Sequence, residues 1–525
     1  MTTDANATAD VIIVGGGPNG LMLACELGLA GIRPVVLEQL PRPSTEPKAN
    51  GLLGQVVRLA NHRGLHEPLS GSPEPPRPNS AYFMFAAMGL NLGLLDSSPV
   101  HGLAAPQQRI TEVLEERAHT LGVDLRRGHR VDGMAQDTDA VTLDVTGPDG
   151  EETRLRARYV VGADGAHSVI RKLSGIGFPG VSHDRRTNRT AHATVPADWV
   201  DPVSTTEWDQ PATDRPMTLS ELAASVRRVL GVDLPLDPPE GEGPHVLRRL
   251  SGGNTRVADR FRDRRVLLIG DAAHVYAAGG GPGLNLGLQD AANLGWKLAA
   301  TLHETAPPGL LDTYDTERRQ AARRMVLHAE AQSALTAPGS DTTALRELFT
   351  ELLTHKEVVQ HVADLTAGTD VRHDMGIADP HPAVGYFAPD LELTVADPSA
   401  ERGRTRFRLA ELARSARPLL IDLTEDGSPA TTLGPDQKAI DIVVATQDSP
   451  TTPTDTAAFT DPTGRTDPTG RTDPTGPTDP TGRTAPTALL VRPDGYVAWA
   501  SASPCPAPAE LSTLRAALDR WFTAS

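Results

Sequence analysis

Apolar positions fall in a strand–helix–strand order along the first forty residues. An apolar run over 9–14 leads into GGGPNG, a helical run over 21–31 and a second apolar run over 33–39. Apolar residues at helical spacing predict further helices over 50–64, 112–122, 219–230, 311–335 and 344–365. Shorter runs predict strands near 82–95, 131–145, 153–165 and 266–269. This order predicts an α/β protein that opens with a β-α-β unit.

The chain after residue 379 has a pattern of its own. Three apolar runs over 417–423, 440–445 and 487–500 precede a helix predicted over 509–522, which indicates a small α/β domain. Between the last two runs the hexapeptide TDPTGR recurs in a near-perfect repeat from 460 to 483. Because Pro, Gly and Thr cannot bury a core, we expect 448–486 to be a disordered surface insertion.

Composition narrows the class of protein. The 525 residues favour two or three domains, and the net charge of −17 argues against nucleic acid as a partner. No apolar run reaches the ~20 residues of a membrane span, and no secretion signal is visible, so we expect a cytoplasmic protein with no membrane partner. Only Cys25 and Cys505 occur, far apart, which argues against disulfides and metal sites. Cys25 lies in an apolar helical run and is expected to be buried.

The first glycine-rich segment has the form of a dinucleotide-binding turn. Gly15, Gly17 and Gly20 make a G-x-G-x-x-G pattern between an apolar strand and a helix. These glycines permit a tight turn and let backbone N–H groups approach a pyrophosphate at the helix N-terminus. Glu38 follows about twenty residues later, where an acid hydrogen-bonds a ribose 2′-OH. An acid here fits an unphosphorylated adenosine ribose, as in FAD or NAD.

Two further segments place glycines directly after predicted strands. YVVGADGAHSVIR, over 159–171, contains Asp164 and by itself predicts only a strand and a turn. The other runs from Gly270 and Asp271 through a glycine-rich loop to a helix beginning near Leu284. A helix N-terminus there is a place to hold an anion. Together with the first segment, these two indicate a flavin site.

On these motifs the chain resembles the class A flavoprotein monooxygenases of the para-hydroxybenzoate hydroxylase type. GADGAHSVIR is similar to the family's DG motif, and GDAAH with the following GLNLGLQDAANLGWKLA is similar to its GD motif. HPAVGYFAPDLELT and LLVRPDGYVAWA resemble the thioredoxin-like C-terminal domain of longer members. Within the family the chain looks most like the aromatic polyketide hydroxylases of tetracycline, anthracycline and angucycline pathways.

The resemblance implies three domains. A Rossmann-like FAD-binding domain is expected over 1–75, 100–175 and 255–378, with an interleaved α+β substrate domain over 76–99 and 176–254. A thioredoxin-like domain is expected over 379–525, without dithiol chemistry because Cys505 has no neighbouring cysteine. A homodimer is one arrangement that the resemblance allows.

The resemblance also implies how a non-covalent FAD is held. Asp164 is expected to support the pyrophosphate and the transient nicotinamide, and Asp271 to bind the ribityl chain. Backbone N–H groups near Leu284 and Asn285 are expected to face the flavin N1–C2=O edge, where a helix N-terminus stabilises negative charge by about 0.3–1 kcal/mol. The expected FAD contacts are Gly15, Gly17, Pro18, Asn19, Gly20, Glu38, Gln39, Lys48, Gln108, Val131, Asp164, Gly270, Asp271, Gly281, Gly283, Leu284 and Asn285.

The implied reaction is a hydroxylation. NADPH reduces FAD, O2 adds at flavin C4a, and the hydroperoxide delivers oxygen to an electron-rich ring of a polycyclic aromatic polyketide. Only one dinucleotide fold is visible, so NADPH is expected to dock transiently on the FAD domain. The cofactor carries the chemistry, while the protein positions the ring and excludes water. No catalytic residue is identified, and the pocket candidates are Lys48, Tyr276, Ala277 and Ala278.

The sequence departs from the family beside the flavin. Ala277 and Ala278 stand where relatives usually carry two prolines, and Pro282 stands where they carry Gln. Lys48 and Gln55 replace two common arginines. Lys48 either places positive charge near the flavin or is a solvated loop residue, and the sequence leaves both readings open.

A larger departure lies between the DG and GD motifs. Residues 175–217 show little strand alternation, and the segment is shorter than in relatives. The family's substrate-domain sheet lies here, and if strands are missing from it, the pocket is open or reshaped. A structural role is favoured for His274 over one that faces flavin or substrate.

Two alternatives to hydroxylation stay open. Baeyer–Villiger insertion or oxidative ring cleavage would use the same flavin motifs. A flavin-binding scaffold or substrate-binding module without oxygenase activity is suggested by the short segment and the altered loop. Glu38, Asp164 and the Gly270–Asp271 pair argue against that second alternative because they keep the family pattern.

Overall fold

The computed structural model describes residues 8–44, 49–182, 185–196, 203–210, 213, 215–241, 245–277, 282–396, 404–433, 439–447 and 485–523. The helices are α1 Pro18–Leu29, α2 Gln55–His62, α3 His66–Ser70, α4 Gln107–Thr120, α5 Val169–Leu173, α6 Leu219–Leu230, α7 Pro282–Leu302, α8 Asp312–Leu335, α9 Ser340–Leu352, α10 Lys356–Ala367, α11 Leu409–Leu412, α12 Ser428–Leu433 and α13 Pro508–Trp521.

The strands follow the same chain order. They are β1 Thr8–Val14, β2 Val35–Glu38, β3 Gly51–Leu53, β4 Phe83–Phe85, β5 Met88–Leu90, β6 Gly102–Ala104, β7 Asp124–Arg127, β8 Arg130–Gln136, β9 Val141–Thr146, β10 Glu152–Gly162, β11 Gly180–Ser182, β12 Arg186–Ala191, β13 Ser204–Trp208, β14 Leu247–Ser251, β15 Asn254–Val257, β16 Arg262–Asp263, β17 Val266–Leu268, β18 His274–Val275, β19 Glu392–Ala396, β20 Arg404–Arg408, β21 Leu419–Asp422, β22 Asp441–Gln447, β23 Ala488–Val491 and β24 Val497–Ser501.

The largest sheet has eight strands and carries the predicted β-α-β unit. Its order is β16-β17-β10-β1-β2-β7, with β9 pairing β10 and β8 pairing β9. The neighbours β17, β10, β1, β2 and β7 run parallel. Val11, Ile13, Val160 and Val161 are fully buried at its centre, as expected for a parallel sheet covered on both faces. Helix α1 packs against α7 and α4 beside this sheet.

Strands are present over 175–217, where the sequence shows little strand alternation, and β12 and β13 belong to a separate three-stranded antiparallel sheet. Its order is β13-β12-β14, and α6 packs against β12 and β13. The buried positions of β12 include Arg186, Thr187 and Arg189, so the strand carries no apolar alternation that a sequence pattern could detect. The charge of Arg189 is balanced by Glu207 at 2.6 Å and Glu221 at 2.7 Å.

The C-terminal part forms a six-stranded sheet in the order β20-β19-β22-β21-β23-β24. Strands β21 and β22 are parallel, and the other neighbours are antiparallel. The run over 487–500 is a hairpin of two strands, and β19 and β20 add two strands that the apolar pattern missed. The insertion predicted over 448–486 lies outside the described residues except at 485–486.

Two helix predictions need correction. The helix expected over 50–64 is strand β3 followed by α2, and the break falls at Gly54, whose φ is +77°. A Cβ on Gly54 would lie 2.3 Å from the carbonyl oxygen of Ala367, so only glycine fits. The helix expected over 344–365 is two helices, α9 and α10.

Buried polar side chains join the C-terminal part to helices α2, α7 and α8. Glu317 of α8 accepts two hydrogen bonds of 2.8 Å from Arg492, which also pairs with Asp494. Lys297 of α7 donates to Glu317 at 2.8 Å. Gln55 begins α2 and donates to the Tyr496 hydroxyl at 2.8 Å. Gln55, which stands where relatives commonly carry an arginine, therefore helps to join α2 to the C-terminal part.

Candidate active site

The first glycine segment forms the predicted turn between β1 and α1. Gly15 has a φ of +113°, and a Cβ there would lie 2.3 Å from the carbonyl oxygen of Ala163. A Cβ on Gly20 would lie 2.0 Å from the carbonyl oxygen of Gly15. Both positions therefore require glycine, and they bring the first motif against the DG segment.

Gly17 marks the open side of this turn. It is the N-cap residue of α1, no side chain caps the helix, and its first turn holds no acidic residue. A Cβ on Gly17 would meet no atom within 4 Å. The first N–H groups of a helix have no partner inside it, and here they border open space. This geometry fits a pyrophosphate.

Glu38 lies at the end of β2 beside the turn. Its carboxylate accepts hydrogen bonds from the backbone N–H groups of Gly16 and Leu40, each at 2.8 Å. Gln39 is exposed next to it, and Gln108 is half-buried in the first turn of α4. Val131 is buried in β8. The contacts of these four residues with FAD remain predictions.

Asp164 organises the DG turn. Its carboxylate accepts hydrogen bonds from the Ser168 hydroxyl at 2.5 Å and from the N–H groups of Val169 and Ile170 at 2.6 and 3.1 Å. Burial raises the pKa of Asp164, although these bonds oppose the shift. The carboxylate thus caps α5, so it would support a pyrophosphate through the shape of the turn.

The GD segment lies against the first glycine motif. Gly270 has a φ of +58° and donates its N–H to Asp290 at 3.1 Å. A Cβ on Gly270 or on Gly287 would lie within 2.3 Å of the Asn19 side-chain nitrogen. Asn19 is therefore wedged between the GD turn and α7, and the three glycine motifs meet at one end of the large sheet.

The start of α7 lies beside Asp271 of the GD segment. The helix begins at Pro282, two residues before the prediction, and Gly283 lies beside the exposed Asp271. The Asn285 side chain accepts a hydrogen bond from the N–H of Leu53 at 3.3 Å. Its side chain thus joins α7 to β3, and its predicted flavin contact concerns the backbone. The predicted residues Lys48, Ala278 and Gly281 lie outside the described residues.

His274 has a structural position, as the sequence favoured. Its Nε2 lies 2.7 Å from Asp290 Oδ2, and Arg318 Nε lies 2.7 Å from Asp290 Oδ1. All three side chains are fully buried. Burial opposes ionisation of Asp290, but His274 and Arg318 outweigh it and hold its pKa below the usual range. Asp290 is part of the QDA segment, but its sequence position gave no sign of this role.

Tyr276 and Ala277, two of the pocket candidates, come directly after strand β18. The Tyr276 hydroxyl donates to the carbonyl of Ala322 at 3.2 Å, and burial raises its pKa well above the usual value. The carbonyl of Ala277 accepts a hydrogen bond from Arg186 of β12. Arg186 thus joins the antiparallel sheet to the loop before α7, a role without any sequence motif.

A cavity of about 170 Å³ lies between the start of α7, strand β4, helix α8 and the end of α10. Much of its wall is apolar, including Leu53, Phe85 and Met325. Its polar residues include an ion pair between Arg324 and Asp370 at 2.5 Å. None of these five residues was singled out from the sequence, because tertiary packing alone brings their elements together.

The fold and these three motifs define a flavoprotein, and a largely apolar cavity lies at the start of α7. Residues 8–244 and 213–329 match the FAD binding domain family, and residues 381–525 match the aromatic-ring hydroxylase C-terminal family. The chain belongs to the class A FAD-dependent aromatic monooxygenases. FAD is its cofactor, and NADPH is the co-substrate typical of the family.

Three similar proteins show the range of this family. The 12-dehydrotetracycline 5-monooxygenase/anhydrotetracycline 6-monooxygenase of Streptomyces rimosus is 37% identical, covering 98% of each chain. The structure of CabE, an aromatic hydroxylase from angucycline biosynthesis, is 33% identical with a TM-score of 0.77, covering 99% of this chain and 100% of that one. Dialkyldecalin synthase of Streptomyces rugosporus is 34% identical, covering 98% of each chain.

Among the described residues, no helix has the length and apolar character needed to cross a membrane.

Proposed function

We propose that this enzyme hydroxylates a polycyclic aromatic polyketide in the biosynthesis of an antibiotic or another secondary metabolite. The observation that carries the proposal is the largely apolar cavity that begins at Pro282 and Asn285, where α7 starts. A flat, apolar ring system fits such a wall because its burial removes apolar surface from water. The tetracycline and angucycline hydroxylases among the relatives support this substrate class.

Bound FAD supplies the activation of O2 and the transfer of one oxygen atom. The glycine turn and the uncapped N-terminus of α1 would hold the pyrophosphate. The N-terminus of α7 would stabilise negative charge on the flavin by about 0.3–1 kcal/mol. Leu53, Phe85 and Met325 position the substrate ring and exclude water from it. NADPH docks transiently on the FAD domain. The proposal also includes that the enzyme works in the cytoplasm and forms a homodimer.

The product of turnover tests this proposal. The holoenzyme is supplied with NADPH, isotopically heavy O2 and anhydrotetracycline, the compound in a relative's name. We expect a product that carries one heavy oxygen atom as a ring hydroxyl, identified by mass and by NMR. A lactone would instead establish Baeyer–Villiger insertion, and a product without heavy oxygen would contradict oxygenation altogether.

A second candidate is a ring-forming reaction without oxygenation. It is favoured by the dialkyldecalin synthase relative together with the altered residues Ala277 and Pro282 beside the flavin. Such an enzyme would release a product with the same mass as its substrate, and turnover would not consume NADPH. In the experiment with anhydrotetracycline, a ring-forming enzyme would leave that compound unchanged and NADPH unconsumed, whereas the hydroxylase would add one heavy oxygen atom.

A further inference from the structure

One side of helix α7 forms part of the wall of the cavity. Pro282, Asn285, Leu286 and Gln289 all line it, and they recur along the helix at intervals of three and four residues. Residues at these intervals lie on the same face of a helix. The face of α7 that carries Gln289 is therefore the face that borders the cavity.

Gln289 is also the residue through which this part of α7 is accessible. It is half-buried, whereas every other residue of the helix from 284 to 299 is buried. A helix that is enclosed on its other sides exposes a residue only where open space adjoins it, and Gln289 adjoins the cavity. The accessible part of its side chain therefore belongs to the cavity wall.

The amide group of Gln289 has no partner in the protein. Within the described part of the chain it forms no hydrogen bond, and neither its nitrogen nor its oxygen is among the buried polar atoms without a partner. Both atoms are therefore accessible. The other polar side chains of the wall each have a hydrogen-bond partner in the protein, and they are Asn285, Arg324, His328, Gln332, Thr366 and Asp370.

The chemistry of the wall favours a neutral hydroxyl group as the partner of this amide. The charge of Arg324 is balanced by Asp370 at 2.5 Å, so the wall presents an ion pair and not a free charge. A carboxamide is neutral, and its oxygen is an acceptor. A phenolic hydroxyl group can donate its proton to that oxygen, whereas a methoxy group or a ring hydrogen cannot.

We infer that Gln289 is a specificity-determining residue whose side-chain oxygen accepts a hydrogen bond from a phenolic hydroxyl group of the aromatic substrate. The inference rests on the proposed function, because it requires that an aromatic ring system occupies the cavity. It adds a chemical requirement to that function: the substrate carries a free hydroxyl group on the edge of the ring system that faces α7.

Three neutral probes test this inference on the FAD-bound enzyme. Naphthalene, 2-naphthol and 2-methoxynaphthalene share a ring system, but only 2-naphthol has a hydroxyl proton to donate. Their affinities are measured by equilibrium dialysis, with the fluorescence of the probes as the signal. We expect 2-naphthol to bind about tenfold more tightly than the other two, which corresponds to one hydrogen bond.

Two variants of Gln289 locate the acceptor. Gln289→Met keeps a side chain of similar length without an acceptor oxygen, so the preference for 2-naphthol is expected to disappear. Gln289→Glu keeps an oxygen at that position and is expected to keep the preference. FAD content and thermal midpoint show that each variant is folded. A merely structural role for Gln289 would change the affinities of the three probes together and would not separate the Met variant from the Glu variant.

The outcomes separate this inference from the proposed function. Met325→Trp fills part of the cavity and is expected to weaken the binding of all three probes. If they bind there but the native enzyme binds them equally, or if Gln289→Met keeps the preference for 2-naphthol, the role of Gln289 is wrong while the aromatic cavity stands. If no probe binds, or if Met325→Trp changes no affinity, the cavity is not the aromatic site, and the inference falls together with the proposed function.

Discussion

The eight-stranded sheet and the three-stranded sheet β13-β12-β14 are built from opposite kinds of residue. At the centre of the large parallel sheet, Val11, Ile13 and Val161 are fully buried apolar residues. In the antiparallel sheet, β12 buries arginine, and Glu207 of β13 accepts hydrogen bonds from Arg189 at 2.6 Å and from two residues of α6. Both sheets have a buried side, but only the first has an apolar pattern.

This difference shows what each kind of core contributes. Apolar burial stabilises at roughly 25 cal/mol per Å² and tolerates many sequences of similar shape. A buried ion-pair network contributes little net stability, because desolvation offsets the attraction, but removing one partner leaves an uncompensated charge. The antiparallel sheet is therefore expected to be the more sensitive of the two to loss of a single charge and to pH.

The largest effect is expected from Glu207→Ala. The substitution leaves Arg189 with one carboxylate fewer and removes the partner of Arg228, at a cost of about 3–5 kcal/mol. Denaturant unfolding followed by fluorescence, with Trp208 of β13 as reporter, measures the change. If the free energy of unfolding fell only as much as it does on loss of an exposed ion pair, the buried network would not be what stabilises this sheet.

Ile13→Ala is the matching change in the apolar sheet. Ile13 is fully buried and pairs with Val36 and Val161 on the neighbouring strands. Deleting its side-chain atoms is expected to cost about 2–5 kcal/mol and to weaken FAD binding, because β1 leads directly into the glycine turn. Unfolding and FAD release are measured together. Unchanged stability would contradict the description of this sheet as an apolar core.

Acid should affect the antiparallel sheet through Glu221. The hydrogen bond from Arg249, with Arg189, lowers the pKa of Glu221 from 4.5 to about 2. A folded-state pKa below the unfolded value stabilises the fold at higher pH, and this contribution is lost as the pH falls from about 4.5 toward about 2. Trp208 fluorescence across this range should report the change. In Glu221→Gln the acid dependence should shrink, and an identical titration in both proteins would refute the assignment.

The smallest effect is expected from Asp209→Asn directly after β13, because asparagine tolerates the φ of +56° that alanine would strain. Asp209 pairs with Arg185, but the side chains are 53% and 71% exposed. Exposed ion pairs are screened and contribute little. The unfolding midpoint should therefore be the same as in the native protein within error. A loss comparable to that of Glu207→Ala would show that burial does not decide the difference.

The same contrast explains what the sequence could predict. The β1–α1–β2 unit and α6, found at Leu219–Leu230 as predicted, were visible because their buried faces are apolar. Strand β12 was invisible because its buried side includes arginine and threonine. The break between α9 and α10 was missed because the apolar spacing continues across it.

The candidate site divides in a similar way. The flavin motifs could be predicted because their tight turns require glycine. Gly15 and Gly20 have no room for a Cβ, so the glycines themselves indicate the geometry. The cavity was not predicted, because its wall combines Arg324 and His328 of α8 with Asp370, which follows α10, and these residues form no sequence motif. The role of Asp290 was missed for the same reason, since His274 and Arg318 reach it only in the folded chain.

Anaerobic reduction of the bound FAD by NADPH, with and without anhydrotetracycline, tests the central claim most directly. The visible absorbance of the flavin is followed after rapid mixing. The account predicts that NADPH bleaches the flavin and that the aromatic compound makes bleaching faster, as in a monooxygenase that is reduced when its substrate is bound. Flavin that stays oxidised under both conditions would contradict the assignment of this enzyme as an NADPH-dependent aromatic hydroxylase.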